Sequence, residues 1–263
     1  LPVSVMPLLS NIEVFQTINS TNTYARELAE RNSVSGSVIL AEQQTAGRGR
    51  RGKSWISPFA ANIYLSIVWD FEQGAQALEG LSLAVGVAVK RALTAYGLEA
   101  VKLKWPNDIY VEQKKLGGIL LEMIGDPAGH CTVVVGVGLN VSMPAFQAKV
   151  IDQAWTDVNT ELQALQSGAA GAEMPSRNKL AAGLISEILP LLNTFQGLGF
   201  GAYRDEWQAA DAFYDQPAVI STPKQSIAGV VKGVDTNGAL RLELDGGRIE
   251  SFIGGELSLR LVK

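Results

Sequence analysis

One cysteine and one histidine in 263 residues narrow the chemistry before any motif is read. Cys131 cannot form an internal disulfide or build a multi-thiolate metal centre, which fits a reducing, cytoplasmic setting. A nucleophile activated by histidine would have to use His130, which adjoins Cys131 at the start of an apolar run, where neighbours on a strand face opposite ways. The pair reads as a turn residue and a small core residue. Basic residues are not in excess: 22 Lys+Arg against 26 Asp+Glu give a net charge of −4. The chain as a whole therefore attracts neither nucleic acid nor anionic membrane, and any positive site must be local. No apolar run approaches the ~20 residues of a membrane helix, and no export leader is expected. With 47% hydrophobic and 18% charged residues, the composition is that of a soluble globular protein, one large domain or one domain with an appendage.

The periodicity predicts alternating helices and strands, then strands only. Ser20 or Thr21 can cap a helix to Arg31, and Ser37–Ala41 is a short apolar strand. Asn62–Trp69 alternates Ile63, Leu65, Ile67 and Trp69 against Asn62, Tyr64, Ser66 and Val68, a strand pattern. Leu78–Tyr96 reads as a helix stopped by Gly97. Strands are expected at Val101–Trp105, Ile109–Val111, Leu116–Met123 and Thr132–Val141, the middle two forming a hairpin. Asp157–Pro175, rich in Ala, Gly, Ser and Gln, reads as a surface loop, and Ser176 as the cap of a helix whose core face runs from Leu180 to Phe195 despite Pro190. After a boundary near Asp215, five short strands joined by turns such as Thr236-Asn237-Gly238 suggest a small SH3-like barrel. No internal repeat is found. The expected class is α/β (α+β): a mixed-sheet domain over 1–215 and a β domain over 216–263.

Gly47-Arg48-Gly49-Arg50-Arg51-Gly52-Lys53-Ser54 fits both the P-loop pattern and, in its first six residues, the dinucleotide fingerprint. Each needs a helix directly after the glycines to receive phosphate at its N-terminus. Trp55-Ile56-Ser57-Pro58 and a strand follow instead, which argues against both. What remains is a loop with Arg48, Arg50, Arg51 and Lys53 within six residues, expected to be mobile when empty and ordered by an anion. Lys104-Trp105-Pro106-Asn107-Asp108 and Lys114-Lys115-Leu116-Gly117-Gly118 add cations, a carboxylate and glycines where a ligand could approach closely. With Gly136-Val137-Gly138-Leu139-Asn140, these segments suggest one anion site on a sheet.

These residues resemble the biotin protein ligases, the biotin–[acetyl-CoA-carboxylase] ligases. The similar segments run in family order from Ser20-Thr21-Asn22 through Glu42–Gly52, Ser57-Pro58, Asn62–Ser66, Lys104–Asp108, Lys115–Leu120 and Gly136–Asn140 to Gly254-Gly255-Glu256. The resemblance implies a catalytic domain of the biotin/lipoate ligase type with an SH3-like C-terminal domain. It implies a reaction in which biotin and Mg-ATP give biotinyl-5′-AMP, whose biotinyl group passes to a lysine of a biotin carboxyl carrier protein. Ser20, Thr21, Asn22, Gln44, Gly47, Arg48, Gly49, Arg50, Lys115, Gly118 and Gly136 would bind biotin. Arg50, Arg51, Trp55, Lys104, Asn107, Asp108, Asn140 and Trp155 would bind ATP or the adenylate, with Asp108 the candidate for Mg2+ and Lys115, Arg48 and Arg50 the catalytic cations. Many bacterial members carry a DNA-binding domain ahead of the ligase; Ser20 comes too early to leave room for it, so no DNA partner is expected, while a homodimer is possible. A lipoate ligase of the same fold, a P-loop ATPase and a pure binding module are the rival readings.

Overall fold

The computed structural model describes residues 1–31, 34–126, 128–166, 174–222, 225–254 and 257–262. Two sheets organise it. The larger has seven strands: β1 (Asn11–Phe15), β2 (Ser37–Ala41), β3 (Ile63–Phe71), β4 (Val101–Lys104), β5 (Asp108–Val111), β6 (Lys114–Gly125) and β7 (Cys131–Leu139), in the order β1-β2-β3-β7-β6-β5-β4. Only the β1–β2 pair is parallel.

Strand alternation gives this sheet two different faces. On one, Val38, Ile67, Val133, Val135 and Val137 join the main core beneath α2 (Leu81–Thr94) and α4 (Arg177–Leu198). On the other, Ile39, Val68 and Val134 pack a smaller cluster with Ala25 of α1 (Thr21–Arg31). Both faces of β3 are therefore covered. The Ser20 hydroxyl accepts from the Thr23 amide at 3.4 Å, and Ser176 from Lys179 at 3.3 Å, the two expected N-caps. Leu180, Leu184, Ile188, Leu191 and Phe195 are all buried despite Pro190.

Three local expectations need correction. Asn11–Phe15 is a strand that the periodicity did not reveal; it is an edge, with Ile12 and Val14 exposed, so its side chains carry no strong burial pattern. The helix expected from Leu78 starts at Leu81, after Gly80 at φ 76°. Within the expected loop 157–175, Val158–Gln166 forms a helix, α3, because Asp157 accepts from the Thr160 amide at 2.7 Å and supplies its cap; residues 167–173 lie outside the described residues. A short helix α5 (Arg204–Ala209) was also not foreseen.

The second sheet contains the five expected strands, β8 (Pro217–Ser221), β9 (Ser226–Val234), β10 (Leu240–Glu243), β11 (Ile249–Phe252) and β12 (Ser258–Leu261), all antiparallel in the order β11-β10-β9-β8-β12. Trp105, a large apolar residue at a strand end, is buried, and its indole N–H donates 3.1 Å to the Gly238 carbonyl beside the second sheet. No helix among the described residues is long and apolar enough to cross a membrane.

Candidate active site

The face of the large sheet under α1 carries Tyr64 and Ser66 of β3, Gly136 and Gly138 of β7, and Gly118, Leu120 and Glu122 of β6, in register across the three strands. Small residues there leave a floor with space above it, and α1, the 47–57 segment and β12 form the walls of a cavity of about 500 Å3. Its lining includes Arg48, Arg50, Arg51, Lys53, Lys104, Lys115 and Arg260, against Asp108 as the acidic member. The local positive site that the composition demanded is therefore real in charge, on a chain that is acidic overall.

Lys115 reaches this face because of a bulge. Ile109 pairs with Gly117 but Tyr110 with Lys115, so Leu116 is an extra residue in β6. Without it, alternation from Gly118 would turn Lys115 to the opposite face. The Lys115 ammonium sits 2.6 Å from Asp108 Oδ1 and 5.6 Å from the centre of the Trp55 ring. Lys104, across the hairpin, lies 3.6 Å from the other oxygen of Asp108. Burial holds the Lys104 ammonium below its ordinary value, with Lys115 adding repulsion and Asp108 opposing. Asp108 is thus shared by two lysines. No group of three or more His, Cys, Asp or Glu side chains that could hold a metal occurs among the described residues; Asp108, the single candidate for Mg2+, is engaged by the two lysines.

The basic segment is a closed hairpin. Trp55 N–H donates to the Gly47 carbonyl at 2.8 Å, Gly49 N–H to Lys53 at 2.7 Å, and Arg51 and Gly52 turn the tip at φ 58° and 71°. A strand rather than a helix follows, which removes the P-loop and dinucleotide readings. Arg50 donates to Asn107 Oδ1 at 2.9 Å, and Asn107 donates to the Ile119 carbonyl at 2.7 Å, so this asparagine orients the arginine over the cavity. Burial lowers the Arg50 pKa, Asp108 opposing and Arg51 adding to it, but a guanidinium stays charged. Arg51 and Lys53 meet no carboxylate among the described residues.

At the other end of the cavity the neutral residues form a connected arc. Gln44 Oε1 accepts from the Thr21 amide at 2.9 Å, while its amide donates to Ser57 at 3.0 Å. Ser66 Oγ lies 2.8 Å from Thr21 Oγ1 and 2.6 Å from Asn22 Oδ1. A side chain on Gly136 would fall on Asn22, and a Cβ on Gly47 would stand 2.5 Å from the Trp55 carbonyl. Arg48 does not face the cavity alone: its guanidinium pairs with Glu122 at 2.9 Å.

Asn140 and Trp155 line a second cavity of about 290 Å3 that shares Lys53, Ser54, Trp55, Lys115 and Gln153 with the first. The Asn140 amide donates to the Thr156 carbonyl at 3.1 Å, which leaves its buried Oδ1 without a partner; the buried Trp55 Nε1 also has none. Both residues, Asn140 and Trp55, line this second cavity.

Residues 14–140 match the biotin/lipoate A/B protein ligase family and residues 218–260 the biotin protein ligase C-terminal domain. The bifunctional ligase/repressor BirA of Salmonella typhimurium is 40% identical over 251 residues, 95% of this chain and 74% of that protein. The biotin–[acetyl-CoA-carboxylase] ligase of Paracoccus denitrificans is 34% identical over 247 residues, 90% of this chain and 98% of that one. The chain belongs to the biotin protein ligase family. Among solved structures, the biotin protein ligase of Aquifex aeolicus in complex with biotin and ATP superposes with a TM-score of 0.77 at 25% identity, covering 97% of this chain and all of that one.

For this ligase the sequence identified Ser20, Thr21, Asn22, Gln44, Arg50 and Lys115, which the fold gathers around one cavity with Gly49, Gly118 and Gly136. It missed Ser66, Glu122 and Arg260. Ser66 was visible as a hydroxyl inside an apolar strand. Arg260 arrives from β12 across the chain, and nothing local signals it.

Proposed function

We propose that the chain joins biotin to ATP and passes the biotinyl group to a carrier lysine, with residues 1–215 forming the catalytic domain and 216–263 a second domain that closes the nucleotide end. The observation that carries this reading is a single cavity that is neutral and hydrogen-bonding under α1 and cationic toward Lys115, Lys104 and Arg260. The biotin ring needs a few placed polar partners, and Ser20, Thr21, Gln44 and Asn22 supply them over the Gly136 floor. Its carboxylate then points along the sheet toward Lys115. There it attacks the α-phosphorus of ATP; the new C–O–P bond forms as the bond to the bridging oxygen breaks, and pyrophosphate leaves. Lys115 and Arg50 stabilise the charge that grows on the phosphoryl oxygens. Magnesium would enter as part of the Mg-ATP substrate, with Asp108 the acidic side chain of the lining that could meet it. The carrier's lysine amine finally attacks the acyl carbon of the mixed anhydride, and AMP departs.

The second cavity suits the base. The orientation of Asn140, set by Thr156, offers an acceptor, which matches the 6-amino group of adenine and not the 6-oxo group of guanine. Biotin-dependent release of pyrophosphate tests the reading: ATP should support it, GTP far less, and lipoate should not replace biotin. Equal release with lipoate would favour the lipoate ligase alternative, and formation of ADP and orthophosphate without any acid an ATPase.

A further inference from the structure

Glu122 lies outside the cavity lining yet joins three of its walls. Its two oxygens accept the Arg48 guanidinium, at 2.9 Å to Nη2 and 3.3 Å to Nη1, a fork that fixes both position and orientation. Oε2 also accepts from Asn22 Nδ2 at 3.0 Å. The remaining bonds of Asn22 run to the Leu120 carbonyl at 3.3 Å and to Ser66 Oγ at 2.6 Å, and Ser66 continues to Thr21. One unbroken path therefore leads from the neutral end of the cavity, through Asn22 and Glu122, into the first arm of the cationic hairpin at Arg48. The carboxylate side chain is 15% exposed, so its charge is poorly screened and needs this partner.

We propose that Glu122 is the positioning residue that clasps the hairpin to the floor of the cavity and, through Asn22, makes closure of the hairpin depend on what fills the neutral end. The inference rests on the reading that the biotin ring occupies that end. Both amide hydrogens of Asn22 are engaged, on Leu120 and on Glu122, so a ring carbonyl that accepts from it must redistribute those bonds. Any such change is felt by the carboxylate that holds Arg48. Without the clasp the hairpin retains its own ladder and the Arg50–Asn107 bond but loses the tether of its first arm, and Arg50 and Arg51 are presented to solvent more often.

Limited trypsin cleavage after Arg51, read by mass, reports the opening directly. In the ligand-free full chain, Glu122→Gln should be cut about tenfold faster than the parent, since the amide keeps shape and one acceptor but not the charge. Arg48→Gln should match it, and the double variant should be no faster than either single one. Multiplying effects would overturn the clasp, as would equal cleavage of E122Q and parent; if E122Q fails to fold, R48Q carries the same comparison. Biotin should protect the parent at least fivefold and protect R48Q and E122Q less than twofold. Equal protection of parent and variants would overturn the coupling. A purely structural role would lower the melting temperature and leave that protection ratio unmoved. Pyrophosphate release by the parent, run alongside, separates the two failures: its absence refutes the biotin reading, whereas its presence with no biotin protection of the parent refutes the coupling.

Discussion

Replacing Lys115 by Met deletes the ammonium and keeps the aliphatic stem that lies between Gly118 and Trp55. The ammonium is held 2.6 Å from Asp108 before any substrate arrives, so it is pre-oriented for the phosphoryl oxygens. Losing one such donor at a site of growing charge costs about 2.7–4 kcal/mol, or ~10²–10³ in rate. The fold should survive. Breaking a buried ion pair outright costs about 3–5 kcal/mol, but Asp108 keeps Lys104 at 3.6 Å, so the penalty should be about 1–2 kcal/mol. Single-turnover pyrophosphate release at saturating biotin and ATP measures the first effect, and a thermal melt controls for the second. A folded K115M protein that adenylates biotin within threefold of the parent would remove Lys115 from the chemistry.

Three further outcomes are expected. Gly136→Ala would drive a methyl group onto Asn22 and break its bond to Ser66, so biotin affinity by calorimetry should fall at least ~100-fold for a stability loss of about 1–3 kcal/mol; unchanged affinity would move the ring elsewhere. Arg50→Gly removes the contact to Asn107 and a charge-assisted phosphate bond, so the adenylate should escape and label lysines of an unrelated bystander protein, while equally low labelling in parent and variant would show that the hairpin is not the lid. Asp211, whose Oδ2 is buried without a partner, has its carboxyl pushed up to about 6 by burial, with the Phe213 amide and Lys102 opposing. The unfolded carboxyl titrates near ~3.9, so stability is whole below that pH and is lost as the pH rises to 6, by about 3 kcal/mol in all. Asp211→Asn should then gain about 1–2 kcal/mol at pH 7.5, the unpartnered amide taking back part, and nothing at pH 4; urea melts showing the same difference at both pH values would contradict this.

The parts of this fold that sequence reading found are those whose burial is local. The apolar alternation of β3 and the caps at Ser20 and Ser176 each carry their own signal within a few residues. The edge strand Asn11–Phe15 has no second layer over its outward side chains, so no pattern was selected there. The helix Val158–Gln166 was hidden by a window rich in Ala, Gly, Ser and Gln, although Asp157 was available as its cap. In the site, Lys115 was legible as a residue, but its direction depends on the extra residue at Leu116, which only pairing with β5 reveals. Arg48 looked like a free cation because Glu122, 74 positions away, is brought to it by the β6–β7 register and not by anything near the glycine-rich segment.

The claim that one cavity adenylates biotin and delivers it to a protein lysine is tested most directly by intact-mass analysis of a biotin carboxyl carrier domain after incubation with the purified chain. A single biotinyl addition on one lysine should appear with biotin and Mg-ATP together, and vanish when either is withheld. A carrier that stays unmodified while ATP is consumed, or that gains lipoate as readily as biotin, would contradict the account.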